Sequence, residues 1–326
     1  MDILIAEQAE GPGIDRLRAN YAVVSEPKLW RDPARLKLLA ADARVLIIRN
    51  QTPVTTDLLE AAPSLVAIGR IGVGLDNIDV KTASALGIVV AAPLGANAAS
   101  VADLTLSFIL ALARMIVPAD AAARTGHWER KEFLGVELDG KVLALSGFGR
   151  IGQLVARRAQ GFGLRVRAYD PLVPKDASIW AQLHVTRSET MEQAVADADF
   201  VSVHSPLTPE TRAMFGPALF SAMKQGAFFI NTARGGIVNE AALIQALESG
   251  HLRGAALDVR EIEPPVQGIL ESLPNVILTP HIGAFTTEAQ TRTIEAIASD
   301  VDRILRGEPA INFINFPKPR RKTDVH

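Results

Sequence analysis

Short apolar runs rich in branched residues recur along the chain, separated by stretches whose apolar positions fall at helical spacing. The runs are Ile3–Ala6, Val45–Ile48, Leu65–Ile68, Val89–Ala92, Val142–Ser146, Val166–Tyr169, Phe200–His204, Ala227–Asn231, Gly254–Asp258 and Val276–Leu278. A strand with one wet face alternates apolar and polar residues. These runs are apolar at nearly every position, as strands buried on both faces are. With helices between them they predict βα units and parallel sheets, an α/β chain. The series breaks once. Residues 1 to about 95 make one set of units, Ala98–Met115 reads as a long buried helix, and a second set runs from Val142 to about 285. Thr287–Arg306 reads as one more helix, apolar at Ile294, Ile297, Val301, Ile304 and Leu305, with Gly307 as its stop. The final PKPRRKTDVH reads as a basic end frayed in solvent.

Composition adds exclusions. A chain of 326 residues, 48% of them apolar, suggests two domains with sizeable cores. Lys plus Arg number 34 against 36 for Asp plus Glu, which leaves no long-range field for nucleic acid or an anionic membrane, and neither is expected as a partner. The best membrane candidate, Leu104–Val117, is too short and holds Arg114. With no cysteine there is no disulfide, thiolate metal site or thiol nucleophile, and no metal is expected. The same lack fits a cytoplasmic setting. The start, MDILIAEQAE, reads as a first strand rather than a leader.

One glycine pattern changes the picture. Gly147, Gly149 and Gly152 form GFGRIG directly after the run Val142–Ser146 and open a helix. Gly147 permits a tight turn, Gly149 lets a pyrophosphate approach the backbone, and Gly152 lets helix and strand pack closely. The helix start then offers free N–H groups to phosphate. Asp170 ends the next apolar run, about twenty residues on, where a carboxylate accepts hydrogen bonds from ribose hydroxyls. That carboxylate repels a 2′-phosphate. Pro171, Leu172 and Val173 follow it rather than an arginine, so the cofactor expected is NAD, with Lys175 as the nearest cation. A Gly-rich turn is the bland alternative, and the strand, helix and acid around it argue against that.

Three later segments each put a charged or titratable group at a strand end: Arg234 in NTARGG, Glu263 in ALDVREIEPP and His281 in TPHIGA. Singly they read as a helix cap, an exposed turn and a loop histidine. Together, behind a dinucleotide fingerprint, they read as catalytic groups, because ligands bind outside the carboxyl ends of strands in an open α/β sheet. A histidine there suits a proton-transfer step, and an arginine offers a planar two-pronged donor to a carboxylate.

These motifs resemble the D-isomer-specific 2-hydroxyacid dehydrogenase family over nearly the whole chain. The matching stretches are GRIGVGLDNID (69–79), GFGRIG, HSPLTPET (204–211), NTARGGIVNEAAL, ALDVREIEPP and TPHIGA. The resemblance implies two doubly wound parallel-sheet domains. A Rossmann nucleotide-binding domain, 98–286, would be inserted in a flavodoxin-like substrate domain made of 1–97 and 287–326. The inserted domain would also form the contact of a homodimer. By the same resemblance Glu263 partners His281, and the backbone at Val73 and Gly74 holds the substrate carboxylate. Asp258 would contact the nicotinamide carboxamide. Arg150, Ile151, His204, Pro206, Thr211, Thr232, Ala233, Gly283 and Ala284 would line the cofactor site, His204 without a catalytic role.

Within the family, GHWERKEFLGVELDGK (126–141) is similar to the segment before the fingerprint in phosphoglycerate dehydrogenases. Arg49, Arg70 and Arg130 match positions that face the phosphate side there, so a second anionic group on the substrate is expected. Phosphate and sulfonate suit such arginines equally, which keeps hydroxypyruvate, glyoxylate and sulfolactate-like acids open beside 3-phosphoglycerate. The chain departs from the pattern at Ser146, where an apolar residue is usual, at Asn50, where serine is frequent, and at Arg260, where an aromatic is frequent. Arg260 would alter the cleft or face solvent. The C-terminal regulatory domain of many phosphoglycerate dehydrogenases would be missing. An NAD-sensing corepressor-like module and a phosphite dehydrogenase share the motifs; formate dehydrogenases carry Gln where Glu263 stands.

Overall fold

A computed structural model describes residues 1–321. The apolar runs form parallel strands: β1 (Ile3–Ile5), β2 (Val23–Ser25), β3 (Val45–Ile48), β4 (Ala67–Arg70) and β5 (Val89–Ala91), then β6 (Val142–Ser146), β7 (Arg165–Tyr169), β8 (Thr186–Arg187), β9 (Phe200–Val203), β10 (Ala227–Asn231), β11 (Leu252–Leu257) and β12 (Val276–Leu278). The chain divides into two compact units, Met1–Asn97 with the stretch from Ala284 onward, and Ala98–Gly283.

The first unit holds a five-stranded sheet in the order β2-β1-β3-β4-β5, the flavodoxin-like order. Successive residues of its strands feed opposite cores. Ile3, Ile5, Val45 and Ile47 pack with Ile297 and Val301 of the helix Thr287–Leu305, whereas Leu4, Leu46 and Ile48 pack with Leu36, Leu59 and Ile68. Both faces are apolar because both are covered, which is what the unbroken hydrophobic runs imply.

The second unit holds a seven-stranded sheet in the order β12-β11-β10-β9-β6-β7-β8. Counted from β6, that is the doubly wound dinucleotide-binding order with one strand added at its far edge. Leu143 and Leu145 of β6 pack under the helix Ala98–Ala113, against Phe108, Ile109 and Phe148. Val142 and Ala144 face the opposite core of Phe215, Phe220 and Phe229. No single helix among the described residues is long and apolar enough to cross a membrane.

Three expectations are corrected. The strands β2 and β8, at sheet edges, are not visible as apolar runs, because each is short and only partly buried: Val23–Ser25 is half-buried to exposed, and Thr186–Arg187 has two residues. The helix foreseen as Ala98–Met115 stops at Ala113. Met115 turns left-handed (φ 52°), and a second helix, Ile116–Arg124, starts with Pro118 in its first turn. A continuous helix would need an N–H that Pro118 lacks. The C-terminal segment does not fray as far as it is described. The Asn312 carbonyl accepts from Ala92 N–H at 2.8 Å, and Ile314 N–H donates to the Val90 carbonyl at 2.8 Å. The Arg320 and Arg321 amides both donate to the Gly87 carbonyl, and Phe316 is buried. The rest of the predicted tail, Lys322–His326, lies outside the described residues.

Candidate active site

In the second sheet the strand order reverses between β6 and β9, and the crevice at such a reversal is where doubly wound sheets bind ligands. Two loops meet there. After β6, Gly147 turns with φ 95° and its N–H donates to the Tyr169 carbonyl at 2.9 Å. A Cβ on Gly147 would lie 2.8 Å from the His204 carbonyl carbon, and one on Gly152 would run into the Gly147 carbonyl oxygen. Gly149 differs. It is exposed, and a Cβ there would meet no atom within 4 Å. The backbone at Gly149 is thus kept bare without any packing reason inside the protein. Gly149 also caps the helix Arg150–Gln160 without a side-chain hydrogen bond, so no capping side chain stands in front of its start. A bare cradle in front of an uncapped helix start fits the pyrophosphate of a dinucleotide.

Asp170 stands at the end of β7 as expected, with a second task. One oxygen accepts from Phe148 N–H at 2.7 Å and the other from Leu172 N–H at 2.9 Å, so the carboxylate holds the fingerprint loop in shape. His204 follows β9. Its Nε2 pairs with Ser202 Oγ at 3.0 Å, while Nδ1 is shielded from solvent and has no hydrogen-bond partner. Burial pulls this ring down from 6.5 to about 3, so it is neutral at pH 7. An orphaned nitrogen beside the glycine loop is a second mark that this crevice is built for a polar ligand. Ser146, unusual in sequence, pairs its hydroxyl with Ser205 Oγ at 2.9 Å and ties the two loops together. Thr211 donates to the Pro206 carbonyl at 2.6 Å, which fixes the loop behind His204.

The three charged groups foreseen at strand ends follow β10, β11 and β12. Arg234 leads into the turn Gly235–Ile237, where its carbonyl accepts from Asn231 Nδ2 at 3.0 Å and its Nη1 donates to the Ala233 carbonyl at 2.7 Å. Thr232 beside it is buried and pairs with Thr105 Oγ1 at 3.0 Å. Glu263 and His281 are joined directly, Oε2 to Nδ1, at 2.7 Å. The other Glu263 oxygen accepts from Arg260 N–H at 3.0 Å. Partial burial pushes the Glu263 carboxyl up, but the hydrogen bonds from His281 and the Arg260 amide, with the nearby charge of Arg234, outweigh it. The carboxyl is held below its usual range and stays ionised at neutral pH. With Nδ1 engaged, Nε2 is the imidazole nitrogen left to exchange a proton with a substrate.

Asp258, foreseen as a cofactor contact, is almost wholly buried and occupied by the protein itself. One oxygen accepts from Thr279 Oγ1 at 2.6 Å and Ile282 N–H at 2.7 Å, and the other from Gly283 N–H at 2.7 Å. These bonds grip the chain on both sides of His281, whose own backbone is left-handed at φ 56°. A non-glycine residue in that region persists only where its surroundings enforce it, and Asp258 supplies the enforcement.

In the first unit the strand order reverses between β1 and β3. Arg49 follows β3 at that point. Its amide and those of Gln51 and Thr52 donate to the carboxylate of Glu7, which is buried at the end of β1. The Arg49 side chain reaches the Gln8 carbonyl and Gln290 Oε1, and burial lowers its affinity for its proton. Arg70 is buried under the Gly72 turn. It donates to the carbonyls of Ile71 at 2.5 Å and Gly74 at 2.9 Å, and so braces the loop carrying Val73 and Gly74. Ala284 also belongs to this unit, where its carbonyl accepts from Gln290. Arg130 belongs to the second unit and is exposed on the turn Arg130–Phe133. The three arginines grouped by sequence thus occupy three different environments. Arg260 does not face solvent; it is largely buried and ion-paired with Glu240 and Glu271. Sequence reasoning missed the holding roles of Glu7, Asp258 and Arg260. Only Glu7 left a signal, as an acid two residues beyond an apolar strand.

Comparison with known proteins agrees with this geometry. Residues 106–283 match the model of the D-isomer specific 2-hydroxyacid dehydrogenase NAD binding domain. The chain is 45% identical over 282 residues to D-3-phosphoglycerate dehydrogenase of Methanocaldococcus jannaschii, an alignment covering 86% of this chain and 53% of that protein. The chain therefore spans about half the length of that curated relative. Among solved structures, TT0316 protein from Thermus thermophilus superposes with a TM-score of 0.89 at 36% identity, covering 96% of this chain and 100% of that one. A glyoxylate reductase from Paecilomyes thermophila superposes with a TM-score of 0.85 at 28% identity, covering 96% and 98%. The chain belongs to the D-isomer specific 2-hydroxyacid dehydrogenase family, and residues 106–283 are its NAD-binding domain.

Proposed function

We propose that this protein is an NAD-dependent dehydrogenase that interconverts a D-2-hydroxy acid and its 2-keto acid. The observation that carries the reading is the 2.7 Å pair of His281 and Glu263 following strand ends of the same sheet as Arg234. Bound NAD supplies the acceptor for the hydride leaving C2. Gly147, Gly149, Arg150, Ile151 and Gly152 hold its pyrophosphate, with Asp170 taking the ribose hydroxyls. His204, Pro206, Thr211, Thr232, Ala233, Gly283 and Ala284 complete that site; Asp258 acts through the chain around His281.

His281 Nε2 takes the hydroxyl proton as hydride departs, and Glu263, ionised, balances the imidazolium that forms. In reduction the same proton returns to the carbonyl oxygen. Arg234 offers two parallel N–H groups to the substrate carboxylate and carbonyl, a fit that a lysine lacks. We assign 1–97 with 287–326 to substrate binding, through Arg49 and the Val73–Gly74 backbone, and 98–286 to the nucleotide. The preferred acid carries a second anionic group, with 3-phosphoglycerate as the first choice because of the phosphoglycerate dehydrogenase relative.

A second reading has its own support. Arg70 spends donors on its own loop and Arg130 is exposed, which weakens a three-arginine phosphate site and favours a short-tailed acid such as glyoxylate or hydroxypyruvate. We place the protein in the cytoplasm as a homodimer. Ile116, Val117, Trp128 and Leu134, all well exposed on the second unit, support a partner surface there. The deciding experiment mixes protein and NADH with 3-phosphohydroxypyruvate, hydroxypyruvate, glyoxylate and a sulfonated analogue, and follows absorbance at 340 nm. Turnover of the phosphorylated acid at least tenfold above the others supports the first choice; turnover of none overturns the enzyme reading.

A further inference from the structure

Glu263 lies in an exposed loop, residues 261–269, with no helix or strand to fix it. A carboxylate in such a loop wanders, yet its use beside His281 requires a position good to a fraction of an ångström. What fixes it is Arg260. Its guanidinium meets the Glu240 carboxylate with two parallel bonds, Nε to Oε1 and Nη2 to Oε2, both 3.0 Å, and its Nη1 meets Glu271. The side chain is only 12% exposed and its two partners 20% and 21%, so this is a semi-buried ion triad rather than a surface pair. Glu240 sits in the first turn of the helix Glu240–Glu248, a rigid element.

The triad is wired to the backbone. The Glu240 oxygen that meets Arg260 Nε also accepts from Glu261 N–H at 2.8 Å, and Glu271 also accepts from Gly268 N–H at 2.8 Å. Both ends of the loop are thereby tied. The Arg260 amide, held at the centre of this arrangement, donates to Glu263 Oε1 at 3.0 Å. On the other side, Gly235 packs so closely on the Arg260 carbonyl that a Cβ there would overlap it. Arg234 is the residue before Gly235, so the same clamp sets the spacing between Arg234 and Glu263.

We propose that Arg260, clamped between Glu240 and Glu271, is a positioning residue that fixes Glu263 against His281. This inference rests on the proposed dehydrogenase activity. The test uses the whole protein with NADH and whichever 2-keto acid the parent reduces fastest. In Arg260→Met, kcat falls about tenfold to a hundredfold with KM changed less than about threefold. Arg260→Lys, which keeps one ion pair and loses the fork, falls between parent and Met.

The decisive comparison is a cycle with Glu263→Gln. If Arg260 acts through Glu263, adding Arg260→Met to Glu263→Gln changes kcat less than about threefold. Losses that multiply in the double variant overturn the proposal. Glu240→Gln is the fallback should Arg260→Met fail to fold, and the same non-multiplying cycle with Glu263→Gln is required of it. A parent that reduces no 2-keto acid fails the functional reading instead, and NADH binding by fluorescence then shows whether the nucleotide site is intact.

Discussion

Lowering the pH from 7 to 5 should destabilise the second unit through His204 by an amount that can be worked out. The ring is buried with Nδ1 unpartnered and is pulled from 6.5 to about 3. Its folded value lies below its unfolded one, so the contribution to stability is present above the unfolded value and is lost as pH falls towards the folded one. Between those limits the unfolded chain binds one more proton than the folded chain, and each pH unit costs about 1.4 kcal/mol. At pH 7 almost nothing is lost. At pH 5 the cost is about 2 kcal/mol, a large share of the usual stability of a domain.

Trp180 reports on this unit, since it stacks on Phe148 with ring centroids 4.5 Å apart. With Trp30 and Trp128 replaced by Phe, its fluorescence follows urea unfolding at both pH values. His204→Gln keeps a group able to reach Ser202 and removes the titration. Carboxylates titrate alike in both proteins, so the parent should lose about 2 kcal/mol more than the variant between pH 7 and 5. Equal losses would show that His204 is protonated freely in the folded protein and would refute the account of its burial.

Further outcomes follow from the same geometry. Gly149→Ala should leave the free energy of unfolding within about 1 kcal/mol of the parent while weakening NADH binding tenfold or more, because the space there is open; Gly152→Ala, which meets the Gly147 carbonyl, should damage stability as well. Fluorescence titration with NADH and chemical unfolding of both variants separate the two. Asp170→Ala should weaken NADH binding and relax discrimination against NADPH, and a loop loosened at Phe148 should also lower stability; a parent that already prefers NADPH refutes the cofactor choice. His281→Ala should lower kcat at least about a hundredfold and leave the NADH dissociation constant within a factor of about three, measured by stopped-flow turnover and titration.

The sequence announces some layers of this protein and hides others for physical reasons. Buried parallel strands must be apolar on both faces, so β3, β6 and β10 stand out at their true boundaries. The edge strands β2 and β8 carry no such obligation and pass unseen, whereas β12, also half-buried at an edge, is apolar throughout and is seen. Asp170, Arg234 and His281 are legible because each follows a strand end, where a charged or titratable residue breaks an apolar pattern; Glu263, well past the end of β11, is legible through the ALDVREIEPP stretch. The groups that hold them are not legible. Glu240 looks like an ordinary first-turn acid on a helix, and Arg260 like a surface arginine. Their pairing across twenty residues of chain is a fact of three dimensions.

Asp258 shows another hidden role. The resemblance makes it a cofactor contact, and its carboxylate also binds the backbone around His281. The reason is general. A left-handed histidine and an ionised carboxylate on an irregular loop are both costly, and the bonds that enforce them come from polar residues whose type alone does not separate holding from catalysis. Arg70 repeats the lesson in the first unit, where a cation at the end of β4 spends donors on the turn that follows it. Strand-end position therefore points to charged residues, and only the hydrogen bonds show which of them hold the loops around them.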